Sequence, residues 1–427
     1  MPEPDHSVAK TVAALWHIES ARVVAHVARI TRDLGRAEEF AQDALLAALE
    51  HWPQDGIPDK PGAWLMTTAR HRALDHVRHQ AQAAPKHVEL ATELDTQHAL
   101  RAQDFSAMVD DALDDDIGDD LLRLVFTACH PVLSPDARAA LTLKVVGGLT
   151  TDEIARAYLK PEPTIAQRIV RAKRTLAEAR VPYEVPRGAE LAARLVSVLE
   201  VIYLIFNEGY AATAGEDWMR PALCEEALRL GRVLAELMPQ EAEVHGLAAL
   251  MEIQASRLAA RVDATGDPIL LLDQDRSRWD PLLIRRGLAA LARAQSLPGA
   301  PGPTTLQAAI AACHARAATA AETDWPRIAA LYQTLAQTAP SPVVTLNRAV
   351  AVSMAFGPAA GLELVDTLLN EPVLEHYHLL PSVRGDLLAK LDRRDEARTE
   401  FERAATLTRN ARERALLLAR ASQLAVR

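Results

Sequence analysis

Thr164, Gln167, Arg168, Arg171 and Arg174 recur at three- and four-residue intervals, so on a helix they share one face. Arginine forks fit the guanine edge or a phosphate, and glutamine pairs with adenine, so this face has the chemistry to read a duplex in its major groove. Lys173 suits phosphates, which hold a helix in register without reading sequence. For these side chains to point outward the opposite side must be buried, and Ile165, Ile169, Ala172 and Leu176 have the spacing for it. Upstream, Thr150 and Glu153 are spaced as a capping box, so a short helix starts there and buries Ile154, Ala155 and Tyr158. Pro161 and Pro163 forbid a continuous helix but suit a helix start. Leu159 to Pro163 is therefore read as a turn, with a second helix from about Thr164. The result is a helix-turn-helix with a basic outer face.

A chain of 427 residues has room for about two or three domains. Its net charge of −10 excludes a general polyanion binder, so any nucleic-acid contact is local. Residues 160–187 are local in that sense: seven basic residues against three acids give +4 and leave −14 for the rest. Cys129, Cys224 and Cys313 stand alone, with no disulfide framework and no CxxC. That pattern fits a reducing cytoplasm and offers no metal-ligand set, and no cofactor is expected. The N-terminal residues lack the basic and apolar regions of a signal peptide, and the run Val201 to Phe206 is too short to span a bilayer. Neither export nor a membrane partner is expected.

Helical periodicity dominates and no alternating β-branched run argues for a sheet, so the fold class is all-α. A helical unit extends from about Val8 to His79, interrupted by an expected loop from Trp52 to Gly62 whose three prolines and two glycines oppose a helix. A polar stretch then leads into seven aspartates between Asp110 and Asp120, the candidate for a mobile linker. A second helical unit carries the helix-turn-helix and closes at Pro182 and Pro186. The domain boundaries follow as 1–80, an acidic linker 81–118, 119–187, and 188–427. In the last segment Gly385, Ala397, Phe401 and Ala404 have the offsets of a tetratricopeptide (TPR) repeat. Ile328, Tyr332, Leu335 and Pro340 repeat its second half, and Ala349, Gly361, Val365 and Leu368 repeat it loosely. Stacked helical hairpins follow if the period is real, and an irregular alanine-rich helical domain if it is not.

Two further segments narrow the choice among helix-turn-helix proteins. Asp33 to Leu45, Pro61-Gly62-Ala63-Trp64-Leu65 and Ala69 to Arg78 resemble region 2 of bacterial RNA polymerase sigma factors of the extracytoplasmic-function class. Leu133-Ser134-Pro135, with the helix-turn-helix that contains Arg171-Ala172-Lys173, is similar to their region 4. Phe206 to Tyr210, Asp273 to Asp280 and Leu346 to Val350 resemble segments of the subgroup with a long TPR-like C-terminal extension. That subgroup tends to carry a Cys-Cys-His-Pro run where this chain has Ala128-Cys129-His130-Pro131, which undermines a metal or paired-thiol role. Cys129 and His130 are expected in the core near a helix end.

The resemblance implies core RNA polymerase and promoter DNA as partners, with no enzymatic activity. It implies that Asp33, Glu38, Glu39, Gln42 and Asp43 dock on the clamp coiled coil of polymerase's largest subunit. Trp52, Arg70, His71, Asp75 and Arg78 would then contact the −10 element, where a captured base needs a stacking surface and phosphates need arginine. Trp64 has the spacing of a core residue. Thr164, Gln167, Arg168, Arg171, Lys173 and Arg174 would contact the −35 element. The aspartate run either mimics nucleic acid inside polymerase or is a solvated spacer. The C-terminal array would regulate activity in cis or bind a protein partner. Asn207, Glu208, Tyr210, Asp273, Asp275, Arg276 and Arg278 are polar positions within apolar helices, read as structural ion pairs in preference to an enzymatic site. A DNA-binding regulator with a ligand- or protein-sensing TPR-like domain is the alternative to a sigma factor. If Arg171 makes a bidentate base contact, Arg171→Ala costs about 1–3 kcal/mol of promoter binding and relaxes specificity at one −35 position. An equal loss on every −35 sequence in a binding assay would mean a phosphate contact instead.

Overall fold

The computed structural model describes residues 6–83, 120–158, 160–212 and 214–425, and these are helical almost throughout. The one sheet among them pairs Ala214–Gly215 in parallel with Arg409–Asn410. The all-α expectation stands. The expected linker falls almost wholly outside the described residues. The chain forms two units, Met1–Val201 and Ile202–Arg427. Their boundary lies within helix Ala189–Tyr210, some way beyond the prolines that suggested residue 188.

In the first unit, helices His6–Thr31, Leu34–Asp55 and Pro61–Ala83 pack pairwise. Ala37, Ala41, Ala44 and Ala48 are fully buried, so backbones approach closely along the middle helix. The loop expected from Trp52 is shorter than the prolines implied. The middle helix runs through Pro53 to Asp55, and Gly56 ends it at φ 84°, its N–H donating to the Trp52 carbonyl at 3.1 Å. Proline is tolerated because it sits in the last turn, where burial of the Trp52 indole against Trp64 holds the backbone helical. The second group of helices comprises residues 120–128, Pro135–Val145, Thr151–Tyr158 and Glu162–Glu178. Cys129 follows the first of these, 1% exposed, with its Sγ 3.3 Å from Thr142 Oγ1. Burial pushes its thiol up to about 11, so it is a core residue, as its position suggested. His130 is partly buried beside it, and its imidazole is pushed below the usual range by burial and by Arg194.

The second unit is a succession of helices, each packed on its neighbours, from Pro221–Leu237 and Ala242–Ala255 to Arg394–Leu407 and Ala411–Ala425. Several starts carry the same local signal. Asp280, Asp324 and Ser341 each accept backbone N–H groups as N-caps, with proline in the first turn. The residues that carried the period occupy the seams between hairpin arms. A Cβ at Gly361 would lie 2.5 Å from the Ser353 Cβ, and one at Gly385 would lie 3.1 Å from the Phe401 ring. Ala397, Phe401 and Ala404 are buried in that second seam. Phe401→Ala is expected to lower the unfolding free energy by about 3–5 kcal/mol, because the backbone seam cannot collapse onto the void. An unchanged denaturation midpoint for the C-terminal helices would show that this seam does not hold them.

Candidate nucleic-acid interface

The helix-turn-helix forms by local rules. Thr150 and Glu153 cap each other's backbone, with Thr150 N–H donating to Glu153 Oε2 at 2.7 Å and Glu153 N–H donating to Thr150 Oγ1 at 3.2 Å. Ile154 and Ala155 are buried, and Tyr158 is half-buried. The second helix begins at Glu162, two residues earlier than its prolines suggested. Its buried residues are Ile165, Ile169, Ala172 and Leu176, so Thr164, Gln167, Arg171 and Arg174 are exposed. Arg174 pairs with Glu178 at 2.6 Å, and Arg168 lies half-buried, 3.3 Å from Asp136. Both are single surface pairs, weak enough to exchange for a phosphate.

Lys173 sits differently. Its side chain turns away from that face to bond Glu38, a residue of helix Leu34–Asp55, and Lys144 lies 3.6 Å from the other oxygen of the same carboxylate. Glu38 is 8% exposed and also accepts from Gln42 Nε2 at 3.2 Å. Two ammonium groups thus flank a carboxylate drawn largely out of water. One residue expected to meet polymerase and one expected to meet DNA satisfy each other here.

The remaining expected polymerase contacts lie at or near the surface. Asp33 is exposed, but its carboxylate caps the helix through Gly35 and Arg36 N–H at 2.8 and 3.1 Å. Glu39 pairs with Arg36 at 2.8 Å, and Asp43 pairs with Arg72 at 3.0 Å. Of the residues expected at the −10 element, Arg70, His71, Asp75 and Arg78 are exposed on helix Pro61–Ala83, Asp75 and Arg78 pairing at 3.5 Å. Trp52 is 2% exposed, its ring 5.5 Å from that of Trp64 at 68°. In this arrangement it is a core residue with no face for a base, because two indoles fill the space under the loop. Trp64 is half-buried, consistent with its core spacing.

Sequence reasoning had no signal for two other ties. Asp120, the last aspartate of the acidic run, is fully buried between His26, Arg29 and Arg123, at 3.3, 3.2 and 2.5 Å. Tyr183 Oη donates to the carbonyls of Ala25 and Asp120, and burial pushes its phenol above the usual range. Arg194 is buried with its guanidinium on the Phe126 carbonyl at 2.7 Å, and Ser197 Oγ donates to the Cys129 carbonyl at 2.6 Å. These join segments far apart in sequence. For the Glu38 bridge, by contrast, Lys144 is a visible signal, a cation in the last turn of an otherwise buried helix.

Comparison with known proteins bears on these faces. Residues 16–83 match the family described as Sigma-70 region 2, and residues 123–176 match Sigma-70, region 4. Residues 194–295 match a family of unknown function, DUF6596. An uncharacterized protein of Rhizobium meliloti (strain 1021) is 44% identical over 93% of this chain and 92% of its own length. The ECF RNA polymerase sigma factor SigK of Mycobacterium ulcerans (strain Agy99) is 31% identical, covering 36% of this chain and 78% of that protein. The probable ECF RNA polymerase sigma factor SigI of Mycobacterium tuberculosis (strain ATCC 25618 / H37Rv) is 27% identical over 40% of this chain and 56% of its own length. With both regions present in order and the helix-turn-helix presenting arginines on its open face, the chain belongs to the ECF RNA polymerase sigma factors, and carries a long helical C-terminal extension.

Proposed function

We propose that the protein binds core RNA polymerase and directs promoter-specific initiation, acting in the cytoplasm, with its C-terminal helices regulating that activity in cis. The observation that carries the reading is the exposed row of Thr164, Gln167, Arg171 and Arg174 behind a fully buried apolar stripe. In this reading Arg168 and Arg171 read guanines or phosphates, Gln167 meets adenine, and Arg174 positions the helix. Arg70, His71, Asp75 and Arg78 contact the −10 element, and Asp33, Glu38, Glu39, Gln42 and Asp43 form the polymerase-docking face. Trp52 supports the region 2 core.

The Glu38 bridge gives this function a closed form. While Glu38 holds Lys173 and Lys144, neither the docking carboxylate nor the phosphate-seeking lysine is available. Core polymerase and promoter DNA each favour the separated form, so each strengthens the other's binding by the same factor. The C-terminal helices supply the protein-binding surface through which a further signal acts.

Purified full-length protein added to core polymerase is expected to start transcripts at defined promoters, and a chain ending at Val201 is expected to change their yield. Transcription only when another sigma factor is supplied would identify a helix-turn-helix regulator instead. Equal yields from both chains would remove regulation in cis. Lys144→Ala loosens the bridge while leaving every proposed polymerase and DNA contact intact, so core polymerase affinity is expected to rise by about fivefold. Glu38→Ala is expected to lower it. Unchanged affinity for Lys144→Ala in a fluorescence titration would mean that the bridge does not compete with docking.

A further inference from the structure

Among the described residues of the second unit, the buried carboxylates are each matched by an opposite charge. Glu208 bonds Arg220, Glu252 lies 2.7 Å from Arg232, and Glu400 lies 2.7 Å from Arg384. A group of three arginines in the irregular segment between helices Ala242–Ala255 and Pro281–Ser296 is not so matched. Among the described residues, Arg257, Arg261 and Arg276 have no carboxylate within ion-pair distance. This also corrects the expectation that Arg276 takes part in a structural ion pair. Its guanidinium instead bonds the carbonyls of His314 and Ala317 at 2.6 and 2.7 Å and Thr323 Oγ1 at 3.0 Å. Glu322 acts on Arg276 only at longer range, and its carboxylate accepts the backbone N–H groups of Ala318 and Thr319.

The three cations share their aromatic neighbours. The Arg261 guanidinium stands 3.5 Å from the Tyr210 ring centre, and that of Arg257 stands 6.0 Å from the same ring and 5.5 Å from Trp279. Arg276 stands 4.8 Å from Trp279. Each charge therefore feels the others. Burial, followed by Arg257 and Arg276, pushes the His314 imidazole down to about 4, so at neutral pH it adds no fourth charge. Cation–π contacts offset only part of the cost of grouping three cations in a partly desolvated place.

Several donors in this group are unspent. Among the described residues, Arg261 Nε, Arg276 Nε, Trp279 Nε1 and Tyr210 Oη are buried and bond nothing, although Arg261 and Trp279 are 7% and 5% exposed. Buried donors of native proteins are nearly always satisfied, and a planar guanidinium fork is the group best shaped for a carboxylate or phosphate. Arg257 and Arg276 are half-buried, so the group reaches solvent. We propose that Arg257, Arg261 and Arg276, framed by Tyr210 and Trp279, bind an oxyanion: the carboxylate or phosphate of a small effector that the extension senses. The site stands on the second unit alone and does not depend on the sigma-factor reading.

The test uses the full chain, with inorganic phosphate and succinate titrated separately against sodium chloride of equal ionic strength. A bound anion stabilises the folded chain in proportion to its occupancy, so one of the two is expected to raise the melting temperature saturably where chloride does not. Which anion does so identifies the headgroup. Arg257→Gln is expected to weaken that response at least tenfold while leaving the anion-free melting temperature unchanged or raised, because it removes an unpaired charge. A purely structural cation–π cluster predicts the opposite: a lower anion-free melting temperature and no saturable response in the parent chain. Tryptophan emission of the parent chain, to which Trp279 contributes as one of six tryptophans, provides a measurement that does not rely on any variant folding. Saturation with phosphate or succinate supports the site. Responses equal to chloride in both measurements overturn it.

Discussion

Close approach between helix faces lined with small residues is the constraint on which both units depend. Aromatic residues make up only 4% of the chain, so core volume is filled largely by alanine, leucine and valine, and helices must come near one another to exclude water. Gly361 against Ser353 and Gly385 against Phe401 express this in the hairpins, as the buried alanines of helix Leu34–Asp55 do in region 2. The functional faces follow from it. Arg171 is exposed because Ile165, Ile169, Ala172 and Leu176 are spent on packing, and the helix has only one side left.

Close packing also sets the terms for charge. A carboxylate drawn into such a seam survives only with its partner, as Asp120 does between two cations and a histidine, and Glu38 between two lysines. In Glu38 this rule acquires a functional meaning under the proposed reading. The carboxylate and the lysine neutralise each other in the absence of their larger partners, so the free protein is stabilised in the form least able to bind either. The arginines around Tyr210 and Trp279 break the same rule within the second unit. Their isolation stands out beside Glu208, Glu252 and Glu400, each paired with an arginine.

The legible parts of this protein were the local ones. The capping box at Thr150 and Glu153, the prolines before the recognition helix and its apolar stripe all act within a turn or two, and they appear in the structure nearly where the residues placed them. The seam residues Gly385, Ala397, Phe401 and Ala404 were visible because a repeated hairpin repeats its small positions. The expected loop after Trp52 came out shorter for a related reason. Three prolines after it suggested a loop from Trp52, whereas the helix runs on to Asp55 with the Trp52 indole packed against Trp64, a residue of the next helix.

By itself, then, the amino-acid sequence determined that the chain is helical, where its recognition helix lies, which face of that helix is open, and which family it resembles. Tertiary structure alone decided that Lys173 turns from the exposed face of its helix to Glu38, 135 residues away, that Asp120 belongs to the core, and that three arginines meet without an acid. The division has one physical cause. Helix periodicity, caps and proline act between neighbours along the chain, whereas the partner of a buried charge is chosen by whichever distant segment packing brings within a few ångströms.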